Sequence, residues 1–130
     1  MLLLDASALV GWVMPVEHRI DLPDLAARHD DIAAPWLLWA ELRNILIVNE
    51  RRGRLPAGSA EQITDAIDGL GIVFDSSPSG AVVLDLAQRH RLTVYDALYL
   101  ELALRQGATL ASLDAALLAA AQAEAVSVVS

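Results

Sequence analysis

The sequence predicts an α/β protein, a three-layer α/β/α sandwich around a short parallel sheet. Short and wholly apolar segments alternate along the chain with longer segments of helical periodicity. The apolar segments lack polar alternation, as expected for parallel strands that helices cover on both faces. Hydrophobic residues make up 55% of the 130 residues, which excludes disorder as the main state. No repeat or linker interrupts the alternation, so we expect a single domain over residues 1–130.

In the first half of the chain, apolar runs and prolines mark the elements. The predicted order is strand 1–4, helix 7–13, helix 20–29, strand 32–34 and helix 35–52. The first strand ends at Asp5, and Pro15 closes the first helix. Because proline is well tolerated in a first helical turn, we expect Pro35 to begin the long helix.

The second half of the chain continues the alternation. The predicted order is helix 59–69, strand 71–74, helix 78–90, helix 93–107, strand 108–111, helix 113–123 and strand 126–129. Pro78 is again expected in a first turn, and Gly107 closes the helix that begins at Thr93.

The helix 35–52 has almost no polar face. Its apolar residues are Trp36, Leu37, Leu38, Trp39, Ala40, Leu42, Ile45, Leu46, Ile47 and Val48. A helix that is apolar all round must be covered on more than one side. In so small a domain we expect a second copy of the chain to cover one side, which predicts a homodimer. The alternative is a central helix in the core.

Composition excludes several kinds of chemistry. The chain has no cysteine and no lysine, so disulfides, thiolate nucleophiles, phosphate-loop lysines and Schiff bases are excluded. Its net charge of −8 repels nucleic acid and anionic membranes as a global field. No apolar run approaches the roughly 18 residues of a membrane span, and no basic leader precedes Asp5. We therefore expect an unexported, cytoplasmic protein without a membrane segment.

Four acidic residues fall where a parallel sheet places its ligands, at the carboxyl ends of the strands. Asp5 directly follows the first strand, and Asp114 follows the strand 108–111 after a two-residue turn. Asp96 lies in a first helical turn, and Glu41 lies inside the apolar helix. Helix capping is the alternative for Asp5 and Asp114, and a capping box begun by Thr93 is the alternative for Asp96.

Glu41 has no such alternative. A carboxylate on an apolar helix face loses its hydration and costs several kcal/mol unless it finds a partner. We expect that partner to be cationic, and in a chain without lysine it is a metal ion or an arginine.

Together the four acids would place about four negative charges in one pocket, which is unfavourable without a cation because like charges raise each other's pKa. All-oxygen ligands suit Mg²⁺ or Mn²⁺. Divalent cations held by carboxylates are a recurring feature of phosphodiester hydrolysis. The residues alone therefore predict a divalent-metal site with phosphoryl chemistry.

Four segments of the chain resemble the PIN-domain ribonucleases, and among them the VapC-type toxins of prokaryotic toxin–antitoxin pairs. They are LLLDASALVGWVMP, PWLLWAELRNIL with ERRGRL, LTVYDALYLELALRQGATLASLD and the terminal VSVV. One such segment is weak evidence, but four in order at the family's usual spacing are specific.

The resemblance implies a metal-dependent endoribonuclease that hydrolyses RNA phosphodiesters and acts as a toxin. It implies that Asp5, Glu41, Asp96 and Asp114 are catalytic residues that hold Mg²⁺ or Mn²⁺. It further implies that Ser7 and Ser112 support the site, that a cognate antitoxin protein is the partner, and that the chain forms dimers. The alternative is a catalytically silent PIN-like domain that only binds RNA or protein.

An acidic protein needs local basic residues to hold RNA. The best cluster is Arg51, Arg52 and Arg54, with Arg43 upstream on the same helix. The alternative is a solvated helix end that complements the helix dipole.

A second basic cluster comprises Arg89, His90 and Arg91. The three histidines share no ligand spacing, so we expect ordinary structural roles for them. Tyr95 and Tyr99 could stack bases, but packing against the sheet is the favoured interpretation.

Overall fold

The structure is a computed structural model that describes residues 1–14 and 20–130. Its strands are β1 (Leu2–Leu4), β2 (Ile32–Pro35), β3 (Val73–Asp75), β4 (Thr109–Ala111) and β5 (Val128–Val129). Its helices are α1 (Ala6–Val13), α2 (Leu22–Ala27), α3 (Leu37–Arg51), α4 (Ser59–Asp68), α5 (Gly80–His90), α6 (Val94–Gln106) and α7 (Ala115–Ala123).

The five strands form one parallel sheet in the order β3-β2-β1-β4-β5. In the centre, Leu3 of β1 lies opposite Ala33 of β2 and Leu110 of β4. Helices α1 to α4 contact one another, and α5 to α7 form a second group. The predicted three-layer α/β/α class is confirmed.

The core is built mainly of aliphatic side chains on the central strands and the helices that cover them. Leu2, Leu3 and Leu4 of β1 are completely buried, as is Leu110 of β4. Because β1 is covered on both faces, its sequence is apolar throughout rather than alternating. Asp5, the polar residue that follows β1, is thereby placed at the carboxyl edge of the sheet.

Two helix starts that were predicted from proline are wrong. Pro35 is the last residue of β2 and pairs with Asp75 of β3, so α3 begins only at Leu37. Pro78 lies outside α5, which begins at Gly80 behind the cap residue Ser79. At residue 35 the proline ends a strand, a conformation that its fixed φ also suits.

The remaining predicted boundaries differ by a few residues. The segment 20–29 contains only the short helix α2, which Asp21 caps. The helix predicted from residue 113 begins at Ala115, because Asp114 is its cap. Pro15, predicted to close the first helix, lies outside the described residues.

Helix α3 buries one face in this chain and leaves another exposed. Leu38, Leu42 and Leu46 are buried against the core. Trp39 and Ile47 remain about 40% exposed, at 43% and 39%. The alternative of a wholly buried central helix is therefore wrong for the described chain.

None of the helices in the described part of the chain combines the length and the apolar character that a membrane span requires.

Candidate functional site

The four predicted acids come together at the carboxyl edge of the sheet. Asp5 follows β1 and Asp114 follows β4, and these strands are neighbours. Glu41 lies in α3, the helix after β2, and Asp96 lies in the first turn of α6. The pKa of the Asp96 carboxyl is raised by its burial and by the charges of Asp114, Asp5 and Glu41. This mutual repulsion indicates that the four carboxylates share one region.

Asp5 is the most constrained of the four acids. It is 5% exposed, and its Oδ1 accepts hydrogen bonds from the Ser7 hydroxyl at 2.7 Å and the Ala8 N–H at 2.9 Å. Its Oδ2 accepts from the Ser112 hydroxyl at 2.5 Å. Burial raises the pKa of Asp5, the hydrogen bonds from Ser112, Ser7 and Ala8 oppose that rise, and the charge of Asp114 adds to it.

The two serines also join the two strand ends that carry the site. The Leu113 N–H donates to Ser7 Oγ at 2.8 Å, and the Asp114 N–H donates to Ser112 Oγ at 3.0 Å. The two hydroxyl oxygens lie 3.3 Å apart. The turn after β4 is thus fastened to the turn after β1, and a supporting role of Ser7 and Ser112 in the site stays a prediction.

The capping interpretation is correct for Asp5 and Asp114, and capping is compatible with a role in the site. Asp5 caps α1, and Asp114 Oδ1 accepts from the Leu117 N–H at 2.9 Å to cap α7. Thr93 Oγ1 accepts from the Asp96 N–H at 3.1 Å at the start of α6. The caps at Asp5 and Asp114 each use one carboxylate oxygen and fix that side chain near the edge of the sheet, whereas at α6 the capping side chain is that of Thr93.

The expectation of a cationic protein partner for Glu41 is wrong in the part of the chain that the structure describes. Glu41 Oε1 instead accepts a hydrogen bond of 2.7 Å from the Tyr99 hydroxyl. Arg43 is turned away from Glu41, with its guanidinium 4.0 Å above the Trp39 ring and 3.6 Å from Asp68. A neutral phenol therefore satisfies the half-buried carboxylate without cancelling its charge.

Tyr99 is itself buried, with 2% exposure, so the favoured packing interpretation is correct for it. Its burial and its hydrogen bond to Glu41 raise the pKa of the phenol, and the charges of Asp5 and Asp96 act in the same direction. Tyr95, on the same helix, is 60% exposed.

The chemistry of the donor set fits a hard divalent cation. Across residues 1–14 and 20–130, no three acidic or histidine side chains stand close enough to hold an ion directly. Mg²⁺ needs only one or two carboxylates, because it keeps several of its water molecules. Asp5 Oδ2 has one remaining lone pair, and Glu41 and Asp114 each have an oxygen that accepts no protein hydrogen bond among the described residues.

The structure does not bring the predicted RNA-binding arginines to the acids. Arg51 lies ten residues beyond Glu41 on α3, which is about 15 Å along the helix axis. Arg52 and Arg54 follow it in the exposed turn, and Arg43 contacts Trp39 and Asp68. A role for these four residues in binding RNA stays a prediction.

The second basic cluster is largely neutralised by acids. Arg89 pairs with Asp85 at 2.8 Å and with Glu124 at 2.6 Å, and His90 Nε2 lies 2.7 Å from Glu124. Glu124 follows the last turn of α7, ten residues from Asp114. This cluster therefore stabilises the far end of α7. His18 lies outside the described residues.

Sequence reasoning missed a second acidic group, which contains the buried Glu101. Glu101 is 2% exposed and accepts hydrogen bonds from Arg105 Nε at 2.8 Å and from the Ser79 N–H at 3.3 Å. Arg105 also donates to both oxygens of Asp75, at 3.0 and 2.7 Å. The four-residue spacing of Glu101 and Arg105 on α6 was the available signal. We call Asp75, Glu101 and Arg105 the arginine clamp.

Beside the arginine clamp, an apolar cavity of about 280 Å³ opens at the ends of β2 and β3. Pro35, Trp36, Pro78 and Leu98 form its walls. Trp36 is 57% exposed, and its ring stacks with that of Trp39 at a centroid distance of 6.4 Å. Large aromatic rings so exposed are typical of a surface that another molecule covers.

Parallel α/β proteins bind their ligands at the carboxyl ends of the strands, and the carboxylates clustered there in this chain suit a divalent cation. Over residues 2–129 the chain matches the PIN domain family, and it belongs to that family. PIN domains are generally nucleases, which assigns the chain to the nucleic-acid hydrolases, and PIN nucleases typically use divalent metals.

Two solved structures are similar to this chain. One is PAE2754 from Pyrobaculum aerophilum, with 26% identity and a TM-score of 0.72 over 92% of this chain and 84% of that one. The other is FitAcB from Neisseria gonorrhoeae, with 20% identity and a TM-score of 0.68 over 100% of this chain and 97% of that one. The second likeness supports the fold alone. No curated protein matches the chain.

Proposed function

We propose that this protein is a Mg²⁺- or Mn²⁺-dependent endoribonuclease of the VapC type, the toxin of a toxin–antitoxin pair. The observation that carries the proposal is the convergence of Asp5, Glu41, Asp96 and Asp114 at one edge of the sheet. All four acidic positions of the family pattern are filled. The arrangement concentrates negative charge with no arginine among the described residues to neutralise it.

In this proposal Asp5 and Asp96 bind the cation directly, while Glu41 and Asp114 complete its shell or act through water. The chemistry that a bound divalent cation supplies in such sites is activation of water for attack on phosphorus and stabilisation of phosphate charge. Ser7 and Ser112 hold the Asp5 carboxylate in one orientation. His90, paired with Glu124 at the far end of α7, is unsuited to act as a general base here.

The proposed substrate is RNA, and the proposed contacts to its phosphates are Arg43, Arg51, Arg52 and Arg54. The last three are exposed and carry no ion pair within the described residues. A strand that reached from the acids to these arginines would cross about 15 Å of α3, the length of a few nucleotides. Bidentate guanidinium contacts to phosphate would then offset the net charge of −8.

Two protein partners belong to the proposal. The exposed apolar face of α3, with Trp39 and Ile47, is the surface that we assign to a homodimer. A cognate antitoxin would cover further exposed apolar surface near the site, such as Trp36. The proposed location is the cytoplasm, and the proposed organisation is a single domain over residues 1–130.

Cleavage of a total RNA pool by the purified protein tests the proposed activity. We expect discrete fragments with Mn²⁺ or Mg²⁺, none with chelator, and none from Asp96→Asn. The matched control is Asp65→Asn, because Asp65 is an exposed helical acid away from the site and should keep full activity. Fragments that persist with chelator or in Asp96→Asn would contradict a metal-dependent site.

A melting experiment separates a narrow target from a catalytically silent domain. An active site should bind Mn²⁺ and raise the melting temperature, because a ligand that binds only the folded state stabilises it by mass action. If no RNA is cut but Mn²⁺ raises the melting temperature of wild type and not of Asp5→Asn, the pool lacks the target. If neither cleavage nor a shift is seen, the silent alternative is correct.

A further inference from the structure

Glu41 stands half-buried on a mostly apolar face of α3. One turn away on α3 lie Leu37, Leu38 and Ile45, which are buried or half-buried. The charge of Glu41 acts on the Asp96 carboxyl together with the charges of Asp5 and Asp114, so Glu41 lies in a region of like charge. The hydrogen bond from Tyr99 is the one contact in the described chain that satisfies this carboxylate.

The identity of the donor matters as much as its presence. An arginine or lysine at this place would pair with Glu41 and lower the negative potential that attracts a cation. A phenol supplies a hydrogen bond and no charge, so the carboxylate is fixed without a positive charge beside it. The Tyr99 hydroxyl is held in one position relative to Glu41, because the Tyr99 ring is 2% exposed and is packed in the core as part of α6.

The hydrogen bond also selects which oxygen of Glu41 is available. Oε1 accepts from the Tyr99 hydroxyl at 2.7 Å, and Oε2 accepts no hydrogen bond among the described residues. With Oε1 held toward α6, the other oxygen keeps both of its lone pairs for a cation or for a water molecule in its shell. Residues that orient a ligand in this way have measurable effects on metal affinity without touching the metal.

We infer that Tyr99 is a positioning residue, a neutral tether that fixes Glu41 and leaves Glu41 Oε2 free for the divalent cation. The inference rests on the proposed function, because it assigns Tyr99 to the same site. Tyr99 touches neither cation nor RNA in this assignment and acts only through Glu41. It also links two elements distant in sequence, since residues 41 and 99 are separated by 58 positions.

Tyr99→Phe removes the hydroxyl and keeps the ring, so the fold should be retained. We expect this variant to bind Mn²⁺ about tenfold more weakly than wild type, measured by calorimetric titration of the metal-free protein. The matched control is Tyr95→Phe, which removes an exposed hydroxyl from the same helix and should bind Mn²⁺ as wild type does.

A double-mutant cycle distinguishes positioning from a general structural effect. In the Glu41→Gln background, Tyr99→Phe should change the Mn²⁺ dissociation constant by less than twofold, because the residue through which it acts is already altered. A full tenfold effect in that background would overturn the inference, since Tyr99 would then act independently of Glu41. Unchanged Mn²⁺ binding by Tyr99→Phe would overturn it as well.

Failure of the tether and failure of the proposed function give different results. If wild type binds Mn²⁺ and Tyr99→Phe binds it equally well, only the role of Tyr99 is contradicted. If wild type binds no Mn²⁺, both the metal site and the tether are contradicted.

Discussion

At the scale of single residues, Asp5 combines a structural and an electrostatic role. It caps α1 through Oδ1, and its Oδ2 receives the Ser112 hydroxyl. At the same time burial and the charge of Asp114 raise its pKa, so its ionised form is held at a cost in the absence of a cation. Substitutions can separate the two roles, because asparagine keeps the cap and removes the charge.

Asp5→Asn should abolish cleavage while the free energy of unfolding of the metal-free protein stays unchanged or rises. The amide Oδ1 can still accept from the Ala8 N–H, and the repulsion with Asp114 disappears. Asp5→Ala should instead lower the free energy of unfolding by about 1 kcal/mol or more, because the cap is lost. Urea unfolding with chelator measures both. If both variants lowered the free energy of unfolding equally, the charge of Asp5 would not destabilise the metal-free protein.

The raised pKa values of Asp5 and Asp96 predict how stability depends on pH without metal. A carboxyl with a pKa above its unfolded value binds more protons when folded, so stability increases as pH falls through that raised pKa. Asp75 and Glu124 act oppositely, because hydrogen bonds from Arg105 and from His90 and Arg89 lower their pKa. Their stabilisation is present above the unfolded pKa and is lost as pH falls through the lowered one.

The metal-free protein should therefore be most stable at mildly acidic pH, above the ordinary aspartate value of 3.8. Urea unfolding across a pH series with chelator measures this, and Asp5→Asn should flatten the increase on the acidic side of neutrality. Stability that falls steadily from pH 7 downward in wild type would contradict the prediction.

At the scale of elements, the arginine clamp joins α6 to the end of β3. Arg105 makes two hydrogen bonds to Asp75, and the side chain of its other partner, Glu101, is 3% exposed. Glu101 also receives the Ser79 N–H at the start of α5. The Arg105 guanidinium thus connects α6 to β3 directly and to the start of α5 through Glu101. Helix α6 also carries Asp96 and Tyr99.

Arg105→Met should lower the free energy of unfolding by about 3 kcal/mol, because it leaves the buried Glu101 without its partner. The control is Arg28→Met, which breaks an exposed pair with Asp24 at the same four-residue spacing and should cost less than about 1 kcal/mol. Denaturant unfolding measures both variants. Equally small losses would show that Glu101 is satisfied without Arg105.

Local patterns were sufficient to predict most helices and strands, and to predict that the four acids lie at the carboxyl edge of the sheet. Asp5 and Asp114 each follow an apolar strand, and Glu41 interrupts an apolar helix, so short windows of sequence contain the signal. Helix starts were less accurate, since Pro35 suits both the end of a strand and a first helical turn. Pro35 is extended because it pairs with Asp75 of β3, which is distant in sequence.

The contacts that complete the site could not be predicted because they join distant residues. Nothing near Glu41 indicates that the Tyr99 hydroxyl, 58 positions away, binds it, and the apolar surroundings suggested an arginine or a metal ion. The same holds for Arg105 and Asp75, which are 30 positions apart. In each case packing of α6 against the sheet determines the pair.

At the scale of the whole molecule, the exposed face of α3 predicts self-association. Sedimentation at micromolar concentration should give the mass of a dimer, and Ile47→Glu should give a monomer because it places a charge in an apolar interface. Leu84→Glu changes an exposed aliphatic residue on α5 and should leave the dimer intact. A wild-type monomer, or equal effects of both variants, would contradict an interface on α3.

The order of strands in the sheet also constrains when the molecule becomes complete during translation. β1 leaves the ribosome early, but it is central, and its neighbour β4 is made much later. The contact that fastens Asp5 spans 107 positions, to Ser112, and Asp114 follows it. A nascent chain shorter than this lacks one of its four acids and the support of another. Under the proposed function, the enzyme therefore cannot attack the messenger that encodes it, or the ribosome translating it, until the segment through Asp114 has been synthesised and has folded against β1.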